Sequence, residues 1–167
     1  LGFSAPGLAS ATSTSVTLAA GAPALVSITT QPSATVASGS ALAQQPAVQI
    51  TDAGGNPASL ATSVTATLTG GPPNVTLGGT TTIATTGGGA GAFTDLSLSG
   101  AVGNYTLTLS AAGLSAAVSG TITLTAGPAA TIAANAGDGQ TATVNTTLST
   151  APSVLVSDLS GNPVGGV

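Results

Sequence analysis

Five side chains in this sequence carry ordinary acid–base chemistry: the carboxyls of Asp52, Asp95, Asp138 and Asp158 and the phenol of Tyr105. There is no Lys, Arg, His, Glu or Cys. General acid–base catalysis needs such a group within hydrogen-bond reach of the reacting atoms, and an aspartic dyad needs two carboxyls sharing one proton. Nothing in the spacing pairs two of the aspartates. The 29 Thr and 19 Ser hydroxyls have no base to activate them. No catalytic, cofactor-binding or metal-binding residue is therefore assigned, and no enzymatic activity is expected. Zinc, haem and iron–sulfur sites are excluded because their ligands are Cys and His. Calcium could recruit Asp52, Asp138 or Asp158 with backbone carbonyls at a domain junction, but such sites usually gather more than one carboxylate. Asp52 and Asp158 read as turn residues instead, and Asp138-Gly139 as a loop turn.

The partners that charge would select are excluded in the same way. Phosphate-backbone binding needs Lys or Arg, and base stacking needs aromatic faces. The only aromatics are Phe3, Phe93 and Tyr105, all expected mainly in cores, which also argues against sugar binding. An ordinary soluble domain is about 25% charged, against 2% in these 167 residues, and mean hydropathy is +0.54. No apolar run reaches the roughly 18 residues of a membrane span, so no membrane insertion is expected. The chain begins at Leu1 without a basic segment and apolar core, and reads as a mature product or part of something longer. Three Asn-x-Thr triplets, at Asn74, Asn104 and Asn145, match the glycosylation acceptor pattern. Covalent glycans are one candidate source of the solvation that charge does not supply; an intact mass equal to the bare polypeptide would remove them.

The elements that must position these residues are strands. Gly and Pro recur every few residues, and Thr and Val prefer extended backbone. Val64–Thr69, Tyr105–Ser110 and Thr121–Thr125 alternate apolar and hydroxyl residues, the mark of half-buried strands. Turn signals at 54–57, 70–74, 78–79, 87–89, 100–104 and 112–113 divide the middle of the chain. The strands expected between them run near 23–30, 46–52, 62–69, 79–86, 91–98, 104–110 and 115–125. Seven strands in about 105 residues suit an all-β sandwich of Ig-type size. The expected core is Val48, Ile50, Val64, Leu68, Leu77, Ile83, Phe93, Leu96, Leu98, Leu107, Leu109, Ile122 and Leu124. With no Cys or Trp to pin the sheets, aliphatic packing must supply the stability. The Thr-rich run Thr80–Thr86 is superficially like an ice-binding array and reads as an ordinary exposed sheet face.

The sequence also repeats. Residues 3–21 (FSAPGLASATSTSVTLAAG) align without gaps to 109–127 (LSAAGLSAAVSGTITLTAG), with ten of 19 positions identical. Residues 46–57 (PAVQITDAGGNP) align to 152–163 (PSVLVSDLSGNP) at the same offset of 106, with six of 12 identical. Chance would supply about one identity in eight for this composition, so the period marks a repeat architecture. Residues 1–21 are then the last strands of one repeat, 22–126 a complete repeat, and 127–167 the first strands of another. The junctions at 19–23 and 125–128 are only a few residues long and limit bending.

These residues resemble a known family. Pro46–Pro57 and Pro152–Val164, each with Asp-x-x-Gly-Asn-Pro, are similar to the second strand and following turn of bacterial Ig-like domains. These are the tandem modules of invasin- and intimin-type adhesins and of giant secreted surface proteins. Gly91–Leu98 and Gly103–Ala111 resemble their fifth and sixth strands. The resemblance covers the whole chain and implies an Ig-like β-sandwich of about seven strands per repeat. Most members carry Lys and Glu on their outer faces, and this chain does not. Within such a turn, Asp accepts backbone bonds, Gly55 and Gly161 supply positive φ, and Pro57 and Pro163 end the pairing. A Tyr at the position of Tyr105 can bond back across a corner.

The resulting expectation is a structural protein: a tandem Ig-like segment of an extracellular prokaryotic filament or cell-surface stalk. Its expected partners are copies of itself, because little charge repels a neighbour and no Lys guards the strand edges. The alternative is a non-binding spacer of an adhesin whose receptor-binding domain lies outside this segment.

Overall fold

Most stretches in which Thr, Val and Leu alternate between turn residues run as β-strand, and the computed structural model describes residues 1–166. Val167, the last residue of the expected 127–167 stretch, lies outside the described residues. Strands β1 (Gly2–Phe3) and β2 (Ala11–Thr12) come first. Next are β3 (Pro23–Thr30), β4 (Thr35–Ala37), β5 (Ser40–Ala41), β6 (Ala47–Asp52), β7 (Ser63–Thr69) and β8 (Val75–Gly78). They are followed by β9 (Thr82–Ala84), β10 (Ala90–Ala92), β11 (Ser97–Gly100), β12 (Gly103–Ala111), β13 (Ala117–Val118) and β14 (Ile122–Thr125). The last two are β15 (Thr131–Ala136) and β16 (Ser153–Ser157). No helix occurs among the described residues, so none is long and apolar enough to cross a membrane. The protein is all-β.

Residues 22–126 form three sheets. One has the order β10-β6-β3 and another β5-β11-β8. The largest runs β4-β14-β12-β7-β9, with β13 also on β12. All pairs are antiparallel except β4 with β14. One cluster unites their inner faces: Val26, Val48 and Ile50 from the first sheet, Leu98 from the second, and Val64, Leu107, Leu109 and Leu124 from the third. Ten of the thirteen expected core residues are buried, while Leu68, Leu77 and Ile83 pack against the cluster partly exposed. Val26, Val36, Leu42, Ala66 and Tyr105 join them. Phe3 departs from expectation at 59% exposure. Leu109, its counterpart one repeat later, is fully buried in β12 under neighbours that Phe3 does not have in this chain.

Two expected strands are each two, and a third is displaced. The expected 79–86 strand narrows to β9, and β8 forms ahead of it at Val75–Gly78, outside every expected strand. Between them Gly79, with φ of 85°, turns the chain against the Asp95 carbonyl. The 91–98 strand divides because β10 pairs with β6 whereas β11 pairs with β5 and β8. Gln45 satisfies the backbone at this crossing: its Nε2 donates to the carbonyls of Leu42 and Leu96, and its Oε1 accepts the Leu96 N–H at 3.0 Å. The 115–125 strand divides at Ser119, whose hydroxyl accepts the Leu107 N–H at 2.9 Å and donates to Gly120 O. Strands β4 and β5 lie in a stretch too rich in turn residues to read as extended.

The outer face of the largest sheet is hydroxyl-lined. Thr69 bonds Thr106 and Thr108 across the β7–β12 pair, and Thr65 bonds Thr82. Of the Thr80–Thr86 run, Thr80 binds Asp95, Thr82 joins this ladder, and Thr85 is buried against Leu60 and Thr62 carbonyls, so no flat threonine array forms.

Pairings recur at the sequence offset. Gly2↔Thr12 and Phe3↔Ala11 match Thr108↔Val118 and Leu109↔Ala117. Leu25↔Thr51 and Val26↔Ile50 match Thr131↔Ser157 and Ile132↔Val156. The irregularity between Ile28 and Thr30 returns between Ala134 and Ala136. Each correspondence has the same shift that relates the two sequence copies.

Candidate functional site

The aspartates are spent on turns. Asp52 ends β6, and its Oδ1 accepts the N–H groups of Gly54 and Asn56, both at 2.9 Å. This closes an Asx-type turn in which Gly55 sits at φ 82°. Asp158 follows β16 and repeats the pattern: its Oδ1 accepts from Ser160 N at 2.8 Å and Asn162 N at 2.9 Å, with Gly161 at φ 82°. The second oxygen reaches further along the chain. Asp52 Oδ2 takes the Gly21 N–H and Asp158 Oδ2 the Gly127 N–H, each at 2.7 Å across 31 residues. Each carboxylate thus clasps the chain entering its own strand system to the turn that leaves it.

At the second clasp the turn also touches the core-bearing segment. Asn162 Nδ2 donates to Gly100 O at 2.8 Å, and its Oδ1 accepts the Val102 N–H at 3.1 Å. Ser38 Oγ lies 2.9 Å from Ser160 Oγ, and a side chain on Gly127 would collide with the Ser38 carbonyl. Asp158, Asn162 and Ser38 are all buried. Sequence reasoning assigned the aspartates to turns and missed Asn162, Ser38 and Gly127. The signal was present, since Gly and Asn recur at positions 21 and 127 and at 56 and 162.

Four N–H donors surround the two oxygens of Asp158. That shell is the reverse of the oxygen cage a calcium ion requires. Among the described residues no three acidic, His or Cys side chains group closely enough to hold a metal. Asp95 binds the N–H and hydroxyl of Thr80 at 2.8 and 3.0 Å. Asp138 lies exposed in the loop between β15 and β16. Tyr105 is buried and donates its hydroxyl to Ala101 O at 2.7 Å, the corner bond its position suggested. No acid–base pair or activated nucleophile is assembled among the described residues. Of the Asn-x-Thr triplets, Asn74 and Asn145 occupy exposed turns with φ of 65° and 66°, while Asn104 lies in β12 and accepts from Thr123.

The clasps set an acid limit. The Gly21 N–H, followed by the side chain and backbone of Asn56, lowers the Asp52 carboxyl from 3.8 to about 2. Burial pushes the Asp158 carboxyl up, but the Asn162 amide and the N–H groups of Gly127, Asn162 and Ser160 outweigh it and leave it at about 2. Since the folded value lies below the unfolded one, this stabilisation is complete above about pH 4 and is lost as pH falls towards 2. Thermal melting should therefore drop through that window. The Asp52→Asn, Asp158→Asn double variant should be less stable at neutral pH and should lose most of the acid slope.

The sequence matches no protein-family model and no curated protein. Among solved structures it is similar to FdeC, an Escherichia coli adhesin, at 26% identity and a TM-score of 0.49, over 84% of this chain and 42% of that one. It is also similar to a glycosyl hydrolase family 2 member from Bacteroides cellulosilyticus, at 15% identity and a TM-score of 0.48, over 64% of this chain and 15% of that one. The chain spans less than half the length of either.

Proposed function

We propose that residues 22–126 are one complete Ig-like β-sandwich in a tandem array. Residues 1–21 are the closing strands of the repeat before it and 127–167 the opening strands of the repeat after it. The array is a structural, non-catalytic segment of an extracellular prokaryotic filament or cell-surface stalk. The observation that carries this reading is the return of pairing, irregularity and aspartate clasp at the offset of the sequence repeat.

Such a clasp suits a spacer, because the turn it braces at Asp158 holds Asn162 against Gly100 O and Val102 N of the unit before it. The distribution of apolar surface also supports the reading. Leu8, Leu18, Ile132 and Leu159 are each at least 70% exposed and all lie in the two incomplete stretches. Within residues 22–126 the large exposed hydrophobics are Val102 and Val118 alone among the described residues. The complete unit instead presents threonine hydroxyls, which favour lateral packing with uncharged neighbours.

Electron microscopy of the purified chain over a concentration series tests the assembly. Helical filaments are the expected result. A chain that stays monomeric at high concentration would remove the filament and leave the adhesin spacer.

A further inference from the structure

The two clasps differ in one respect. The Asp158–Pro163 turn is docked, and the Asp52–Pro57 turn is open. Asn162 is buried, with its amide bonded to Gly100 O and Val102 N. Asn56, its counterpart, is exposed and reaches only its own Asp52, at 3.1 and 3.3 Å. The glycines differ in the same way. Gly127 cannot carry a side chain because the Ser38 carbonyl stands in its place, whereas at Gly21 the nearest atom to such a side chain is Asp52 Oδ2 at an ordinary 3.4 Å. Both glycines donate the same 2.7 Å bond to the following aspartate, a bond any residue's N–H could make. Within this chain, therefore, neither Asn56 nor Gly21 has the contact that accounts for its counterpart.

We infer that the Asp52–Pro57 turn, together with Gly21, is a docking face for the end of another copy of this repeat, presenting loops like Ser38–Gly39 and Gly100–Val102. In that joint Asn56 donates to the carbonyl equivalent to Gly100 O and accepts the N–H equivalent to Val102 N. Gly21 passes under the carbonyl equivalent to Ser38 O. The occupied copy supplies the geometry, and the shared clasp places the open copy in the same conformation. One contact is not reproduced: Ser160, which meets the Ser38 hydroxyl, is Gly54 in the open copy. The first joint therefore leans on Asn56 more heavily than the second leans on Asn162. The partner is selected by backbone groups and fit without an ion pair, since the one charge of this face, Asp52, is spent on its own turn and on Gly21, which suits a repeat that binds its own kind in series. The inference rests on the tandem-array reading.

The test extends the present chain. Placing a copy of residues 22–106 ahead of Leu1 completes the first repeat at the observed offset. Hydrogen exchange then follows two backbone amides, Val102 of the original chain and Val102 of the added copy. Asn162→Ala should speed exchange at the original Val102 by roughly tenfold. Asn56→Ala should do the same at the added Val102 and leave the original one unchanged. Gly21→Ala should likewise expose the added Val102, yet change melting of the unextended chain little, because its side chain there meets only the Asp52 side chain at ordinary van der Waals distance. If Asn162→Ala has no effect, the joint itself is wrong and the array reading falls with it. If Asn162→Ala acts as expected but the added Val102 is unprotected, or ignores Asn56→Ala and Gly21→Ala, the array reading stands and this docking face is overturned.

Discussion

Replacing Phe93 with Ala should lower the unfolding free energy by about 3–5 kcal/mol. Phe93 is one of two aromatic side chains in the core and is 2% exposed. It lies just after β10, where the chain leaves the β6 sheet for the β5-β11-β8 sheet, and its N–H is tied to Pro46 O at 3.0 Å. The side chain therefore fills the space between sheets where neither supplies a continuous inner face. The cluster it belongs to is mostly branched aliphatics on paired strands, so the cavity left by Ala should not close without moving backbone. The loss should appear as a lower urea midpoint with little change in slope, because the surface exposed on unfolding is nearly the same. A cost under about 1 kcal/mol would mean that the core relaxes around the site and that Phe93 does not join the sheets.

Gly71→Ala should cost about 2–5 kcal/mol, combining a left-handed backbone with overpacking. Gly71 has φ 75°, and a side chain there would land inside the Tyr105 ring and close to Asn104 O. The ring cannot retreat freely, since its hydroxyl is bonded to Ala101 O and the side chain is 1% exposed. Tyr105 is the sole Tyr and there is no Trp, so intrinsic fluorescence reports this corner directly. The variant should show an altered tyrosine signal in the folded state as well as a lower midpoint. A double-mutant cycle with Tyr105→Ala isolates the contact: the collision term should vanish once the ring is gone, leaving only the backbone cost. Full additivity of the two losses would show that the ring does not limit Gly71.

The strands that were legible beforehand share a trait. β3, β6, β7 and β12 have long alternating runs flanked by Gly or Pro, so one face is apolar at every second residue and the period alone determines which side is buried. The strands misjudged were those whose pairing is interrupted. Gly79 and Leu96 sit where the chain leaves one sheet for another, and Ser119 sits between two strands that both pair with β12; the local pattern carries no record of which neighbour follows. Gln45 makes the point plainly: its amide replaces a ladder at the β10–β11 crossing, and a lone glutamine in a polar stretch gives no sign of that task.

At the candidate site, the matching contexts of Asp52 and Asp158 marked both as turn residues, because an Asx turn is built from neighbours in sequence. The clasps to Gly21 and Gly127 join segments far apart in sequence and were not legible, and the difference between Asn56 and Asn162 could not have been. Their sequence contexts are nearly the same, and only packing leaves one exposed and buries the other.

Composition and period by themselves determined that this protein builds strands, that its sequence repeats at one fixed offset, and that these residues include no Lys, Arg, His, Glu or Cys. Those properties depend on which residues are present and on their local spacing. Tertiary structure alone decided where strands switch sheets, that each aspartate ties two distant segments together, and that one of two like turns is covered while the other lies open. Those properties depend on which segments meet across long stretches of chain, and hydrogen bonds of that range leave no mark in local pattern.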